Sequence, residues 1–307
     1  VRWRKPRALR PGDTIAVVSP ASPIPEDKLQ IGLKLLEDAG YRIALGKSVL
    51  RSTDYLAGSD EERAADLQWA FDDPAVAAIW CSRGGYGCAR LLPHLDLDRM
   101  AASGKMFLGF SDVTMLHLAL NRRGLVTFYA PMALTFSVER PEWVRQSFLG
   151  ALEGNVQIPA EAPRAQCLHP GKAEGRTTGG CLCLLCDSIG TSDSLDARGK
   201  ILLLEDIDEN PHRVDAMLTH LLHCGILQGA AGLVIGEMTN TDARCDATIG
   251  KRAWQEIFRE RLEGVQTPAM LGYPFGHMSA MLTLPLGIRA RMDSEQGTLE
   301  FLESPCE

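Results

Sequence analysis

Through the first 120 residues, apolar runs of strand length alternate with stretches whose apolar residues recur at helical spacing. Residues 13–22, DTIAVVSPAS, read as a buried strand and the loop after it. Residues 23–39 read as an amphipathic helix with Leu29, Leu33 and Leu36 on one face, stopped by Gly40. A short strand at 41–45, a helix at 60–71 capped by Ser59 or Asp60, and a buried strand at 75–81 continue the pattern. This alternation predicts an α/β fold with a mostly parallel sheet and flanking helices, because parallel neighbours need a crossover and a helix supplies it. Ligands of such sheets bind beyond the carboxyl ends of the strands. Two loops fall at those ends: SRGGYG at 82–87 and FSD at 110–112.

The pattern changes at 154–178, which is rich in Pro, Gly and charge and has little periodicity. It reads as an interdomain linker between an N-terminal domain, 1–153, and a C-terminal domain, 179–307. In the second part, 200–204 reads as a strand ending at Glu205, 211–224 and 249–262 as helices, and 229–235, 269–273 and 282–286 as strands. A chain of 307 residues can bury a core without staples. Its net charge of -7 argues against a nucleic-acid partner and against an anionic membrane surface. No run approaches the roughly 18 apolar residues of a membrane span, and no secretory leader pattern stands at the start, so the expectation is a cytoplasmic protein without a membrane partner. Nine scattered cysteines fit a reducing compartment. Cys181, Cys183 and Cys186 cluster in CLCLLCD, but no matching CxxC pair lies downstream. The expectation for them is small apolar packing and no metal. His212, His220 and His223 are read as helix-surface or packing residues in the same way.

Three residues stand where acyl-transfer chemistry needs them. Ser111 sits at a strand-to-helix junction, the local setting of a nucleophile elbow, although GxSxG is absent. The same position suits a helix N-cap serine, and periodicity does not separate the two. Glu205 follows the apolar run ILLL and is placed to orient an imidazole; a solvated loop acid is the alternative, and Asp206, Asp208 and Glu209 compete with it. His277, in YPFGHMSAM, is the candidate general base, with a packed turn histidine as the alternative. The glycines of RGGYG suit amides turned toward an oxyanion, a tight turn, or a nucleotide cradle.

PGDTIAVVSPAS, SRGGYGCARLLPHLD, GFSDVTMLHLAL, LLLEDIDENPHRVDAMLTHL and GYPFGH occur in that order along almost the whole chain. Together they resemble the LD-carboxypeptidase family, serine peptidase family S66. The resemblance implies a triad of Ser111 as nucleophile, His277 as base and Glu205 as its orienting carboxylate. It implies an oxyanion hole from the backbone amides of Gly85 and Asp112, with the wider RGGYG loop, Arg83 and Gly84 included, shaping the substrate side; a structural salt bridge is the alternative for Arg83. It also implies no metal or organic cofactor, a homodimer, and a smaller β-rich C-terminal α/β domain carrying Glu205 and His277. The expected reaction is release of terminal D-alanine from a murein-derived tetrapeptide. The alternative within the family is a microcin-C-type immunity peptidase acting on aminoacyl- or peptidyl-nucleotide compounds. Two departures stand out. GGCLCLLCD replaces a more polar pattern close to GGNLS, and PHR at 211–213 replaces PYR, which gives His212 an aromatic structural position.

Overall fold

The computed structural model describes residues 2–244 and 252–307. In chain order the strands are β1 (Thr14–Val18), β2 (Arg42–Leu45), β3 (Val76–Cys81), β4 (Met106–Gly109), β5 (Thr127–Tyr129), β6 (Gln166–His169) and β7 (Lys172–Cys181). They continue with β8 (Ile201–Ile207), β9 (Gly232–Thr239), β10 (Ala269–Leu271), β11 (Leu284–Leu286), β12 (Arg289–Asp293) and β13 (Thr298–Phe301). The helices are α1 (Glu26–Asp38), α2 (Asp60–Asp72), α3 (Cys88–Leu91), α4 (Leu97–Ala102) and α5 (Thr114–Arg122). After them come α6 (Glu142–Leu152), α7 (Leu182–Asp187), α8 (Pro211–His223), α9 (Ile226–Gly229) and α10 (Trp254–Leu262). Of the helix expected over 249–262, residues 249–251 lie outside the described residues. No helix among the described residues is long and apolar enough to cross a membrane.

The chain divides into two compact units. The first takes the residues up to Ala160, Leu282–Gly287 and Ser304–Glu307; the second takes Glu161–Met281 and Ile288–Glu303. The first unit holds a six-stranded sheet in the order β11-β5-β4-β3-β1-β2. Its neighbours are parallel except β11, which runs antiparallel on β5. The chain leaves β1 for β2 on one side and then crosses back to β3 on the other. That reversal opens a crevice at the carboxyl ends of β1 and β3. Every residue of β4 and all but one of β3 are buried, as a sheet covered on both faces requires. Trp80 of β3 packs on Phe148 of α6 with ring centroids 5.3 Å apart, and its Nε1 donates to Pro131 O at 2.8 Å. Ser59 caps α2 as expected: its Oγ accepts from Glu62 N–H while the Glu62 carboxylate accepts from Ser59 N–H.

Helix α5 is buried from Thr114 to Asn121, including His117. A carbonyl only accepts, so the 2.8 Å contact to Gly109 O places the His117 proton on Nε2. Nδ1 then accepts from Thr127 Oγ1 at 2.9 Å, and Thr127 Oγ1 in turn accepts from Asn121 Nδ2 at 3.1 Å. Burial drives the His117 pKa down to about 4, although the Gly109 hydrogen bond acts the other way. The unfolded chain titrates this histidine near 6.5, so its contribution to stability is present above that pH and is lost as pH falls toward about 4. The loss is on the order of 3 kcal/mol. Urea unfolding across that range should show this slope in the parent and its absence in His117→Asn. Equal slopes in the two proteins would remove His117 as the cause.

The second unit holds a seven-stranded sheet in the order β13-β12-β7-β8-β9-β10-β6. Strands β7 to β10 are parallel, and β6, β12 and β13 join antiparallel at the edges. The segment 154–178 expected as a linker contains β6 and most of β7. The amphipathic face predicted for 211–224 is present, with Val214, Met217, Leu218 and Leu221 of α8 buried. The fold is thus α/β throughout, with a helix-flanked, mostly parallel N-terminal sheet and a second, β-rich sheet unit.

Candidate active site

Ser111 follows β4 and Phe110 and opens a 3-10 turn, Ser111–Val113, that leads into α5. Its φ is 65°, a left-handed conformation that a residue with a Cβ adopts only when its surroundings enforce it. The enforcement is visible. Ser111 N–H donates to the Tyr129 hydroxyl at 3.2 Å, and the Tyr129 ring packs edge-on against Phe110. The cap positions are Phe110 for the turn and Val113 for α5, neither with a side-chain cap bond. Ser111 is therefore not the N-cap that its sequence position also allowed.

The RGGYG loop after β3 lies directly against this serine. A Cβ built on Gly84 would stand 2.8 Å from Ser111 Cβ, 3.0 Å from Ser111 Oγ and 3.3 Å from the Asp112 amide nitrogen. Gly85 has a φ of 117°, and a Cβ there would overlap Ser22 of the loop after β1. Ser22 Oγ accepts from Tyr86 N–H at 3.2 Å, and Ser19 and Ser82 hydroxyls meet at 2.6 Å below it. Arg83 turns back on its own loop, donating Nε to Gly84 O at 3.1 Å and Nη1 to Pro23 O at 3.0 Å. Burial lowers its pKa. The Asp112 carboxylate accepts from Cys88 N–H at 2.8 Å and so anchors α3; burial raises its pKa, against that hydrogen bond. Sequence reasoning missed Arg63. It lies in a stretch that reads as a solvated helix, DEERAADLQ, yet its side chain is fully buried. Its guanidinium donates to Pro20 O, to Gly87 O and to Asp60, tying the β1 loop to the end of the RGGYG loop.

In the second unit, Glu205 is fully buried within β8, which runs on to Ile207. It is not the solvated loop acid that the sequence also admitted. The register against β9 passes from Leu204↔Ile235 to Asp206↔Met238, so Gly236 and Glu237 both stand opposite Glu205. This bulge leaves Glu205 and its neighbour Asp206 both buried. Glu205 Oε2 accepts twice from His277, from the backbone N–H at 2.9 Å and from Nδ1 at 2.7 Å. With the proton on Nδ1, Nε2 carries the imidazole lone pair. Burial opposes a charge on His277, but the Glu205 carboxylate, with Asp206 and Asp208 behind it, raises its pKa on balance. Asp206 itself is pushed up to about 6 by burial and by repulsion from Glu205.

Gly276 makes the double contact possible. Its φ is 92°, and a Cβ there would occupy the place of the Glu205 carboxylate. Gly276→Ala should therefore cost about 1–3 kcal/mol of stability and separate His277 from Glu205. Thermal melts check the first effect and NMR titration of the His277 imidazole the second. An alanine variant with parental melting and titration would show that the loop has room to shift.

Among the described residues, the group of side chains able to hold a metal ion is Cys181, Cys183 and Asp206. His212, His220 and His223 form no such group. The expected site residues thus fall into two clusters, one per unit: Arg83, Gly84, Gly85, Ser111 and Asp112 in the first, and Glu205 and His277 in the second.

Residues 15–130 match the LD-carboxypeptidase N-terminal domain and residues 174–292 the LD-carboxypeptidase C-terminal domain. A putative carboxypeptidase of Streptomyces coelicolor is 40% identical over 301 residues, 96% of this chain and 95% of that protein. The probable murein peptide carboxypeptidase of Bacillus subtilis is 36% identical, over 96% of this chain and 93% of its own length. The murein tetrapeptide carboxypeptidase of Pseudomonas aeruginosa is 34% identical, over 92% and 94%. Among solved structures, MccF in complex with glutamyl sulfamoyl guanosine superposes with a TM-score of 0.88 at 25% identity, covering 99% of each chain. Muramoyltetrapeptide carboxypeptidase from Oxalobacter formigenes gives 0.81 at 29% identity, over 93% of this chain and 97% of that one.

These likenesses correct one expectation. The exclusion of nucleic-acid partners does not extend to nucleotides, since MccF structures carry glutamyl sulfamoyl guanosine and aspartyl sulfamoyl adenosine. Net charge bears on a polyphosphate backbone, whereas a single nucleoside is held by stacking and hydrogen bonds that leave no trace in net charge.

Proposed function

The chain belongs to the LD-carboxypeptidase family, and from that premise we propose a serine hydrolase that cleaves acyl–nitrogen bonds of aminoacyl- or peptidyl-nucleotide conjugates of the microcin C type. The observation that carries this reading is the whole-chain likeness to MccF bound to glutamyl sulfamoyl guanosine, with a TM-score of 0.88. In this proposal Ser111 attacks the acyl carbonyl while His277, oriented by Glu205, takes its proton. Amides of Gly85 and Asp112 stabilise the oxyanion, and protonated His277 then donates to the leaving nitrogen. A water activated by the same histidine releases the acyl group. Arg83 and Gly84 would shape the leaving-group side. The Arg83 guanidinium already holds two loop carbonyls, which would fix its charge in place for an acidic leaving group.

Release of D-alanine from murein tetrapeptide is the second reading. It is favoured by the 36% and 34% identity to the two murein peptidases. Both reactions expel a nitrogen that stands next to an acidic group, so one machinery serves either. The test offers purified protein glutamyl sulfamoyl adenosine and murein tetrapeptide in parallel, reading free glutamate and free D-alanine. A kcat/KM at least about tenfold higher for the nucleoside conjugate supports the first reading, and the reverse order replaces it with the second. Folded protein that cleaves neither substrate would sink both.

A further inference from the structure

The three donors of CLC and Asp206 are arranged as one face of a coordination tetrahedron. Cys181 ends β7, in register with Glu205 of β8, and Cys183 lies in the first turn of α7. Their sulfurs stand 3.5 Å apart. Asp206 Oδ1 lies 3.2 Å from Cys181 Sγ and 3.7 Å from Cys183 Sγ. Zinc bonds of ~2.3 Å to sulfur and ~2.0–2.2 Å to oxygen give tetrahedral edges of roughly 3.8 Å between sulfurs and roughly 3.5 Å between sulfur and oxygen. The three observed edges lie within a few tenths of an ångström of those values. The carboxylate is held for the task. Oδ2 accepts from Cys183 N–H at 2.8 Å and Oδ1 from Ile207 N–H at 2.8 Å, the outer hydrogen bonds that fix a ligand's orientation. Cys186 takes no part, since its sulfur faces Met217 O.

We infer that Cys181, Cys183 and Asp206 form a binding site for a thiophilic divalent cation such as Zn2+ or Cd2+, with water in the fourth position. Cys181 and Asp206 are buried, while Cys183 is only partly so and gives the ion a way in. As each metal–sulfur bond forms, that thiol releases its proton to solvent, so two protons leave per ion and no electron changes hands. The strict CxxC spacing of zinc modules does not apply here, because the third donor comes from a neighbouring strand instead of a second cysteine pair.

The site lies one residue from Glu205. Binding is read without any substrate and does not depend on the function proposed above. The experiment titrates Co2+ into the reduced, metal-free full-length chain and follows the thiolate-to-cobalt charge-transfer band; Zn2+ competition then gives the affinity for zinc. One ion per chain is expected. C181S and C183S should each abolish the band, and D206N should weaken binding by at least about tenfold. C167S and C224S, at exposed cysteines, should leave it unchanged. Should the serine variants fail to fold, mass spectrometry of alkylated parent protein replaces them: Zn2+ should protect Cys181 and Cys183 and no other pair. Absence of the band, its persistence in C181S or C183S, or protection of other cysteines would overturn the site.

Discussion

Ser111→Ala is expected to fold as the parent does and to lose acyl–nitrogen hydrolysis by at least about a thousandfold in kcat. The two halves of this expectation have separate causes. Alanine keeps the Cβ that touches Gly84 and keeps the N–H that donates to Tyr129, so the left-handed turn at 111 is held by the same contacts. Stability should therefore stay within about 0.5 kcal/mol, since no buried packing is removed. What disappears is the hydroxyl, and with it the covalent acyl intermediate of the proposed mechanism. Some rate over water should persist through oriented binding and backbone amides alone. Thermal melting and single-turnover kinetics on one preparation check both halves. A variant that melts normally and hydrolyses at the parental rate would show that another group attacks the carbonyl.

Glu205→Gln should reduce kcat/KM by roughly 10²–10³-fold and move its acid limb to lower pH. The glutamine oxygen can still receive both N–H groups of His277, so geometry is kept while charge is lost. In the parent, the nearby carboxylates raise the His277 pKa despite burial. If His277 is the base, as proposed, its base form fills only as pH climbs through a value above the ordinary 6.5. With the Glu205 charge gone, burial dominates and the limb falls. The same raised pKa has a stability sign. His277 stabilises the fold fully below 6.5, and that contribution is lost as pH rises through its folded value. His117 has the opposite sign, so the two histidines together favour a stability maximum near neutrality. Kinetic profiles of parent and E205Q from pH 5 upward test the shift; coincident acid limbs would detach Glu205 from the titration of His277.

The alternation of strands and helices was legible because buried parallel strands are short apolar runs bounded by turns. The junction at Ser111 was legible for the same reason, since strand and helix periods meet there. Other features left no periodic trace. Strand β7 begins as Lys172, Ala173, Glu174, Gly175 and Arg176, half exposed beside β12, and such a polar stretch reads as linker. The bulge opposite Glu205 depends on pairing with β9, which no local pattern encodes. Arg63 and His117 are polar residues made internal by partners outside their own helices, Pro20 and Gly87 for one and Thr127 for the other. A buried polar group is explained by its hydrogen bonds, and those exist only after folding.

Strand β11 belongs to the first unit but is supplied by residues 284–286, after the chain has already built most of the second. At about 5–20 residues per second, a ribosome needs on the order of ten seconds to pass from residue 160 to that strand. For that interval the nascent first unit carries β5 as an open edge, a site where another chain could pair. The two units therefore cannot mature one after the other in the order they are made. A polypeptide released early, anywhere before residue 284, would hold the serine-bearing sheet without its closing strand, and chaperone demand should fall on that intermediate.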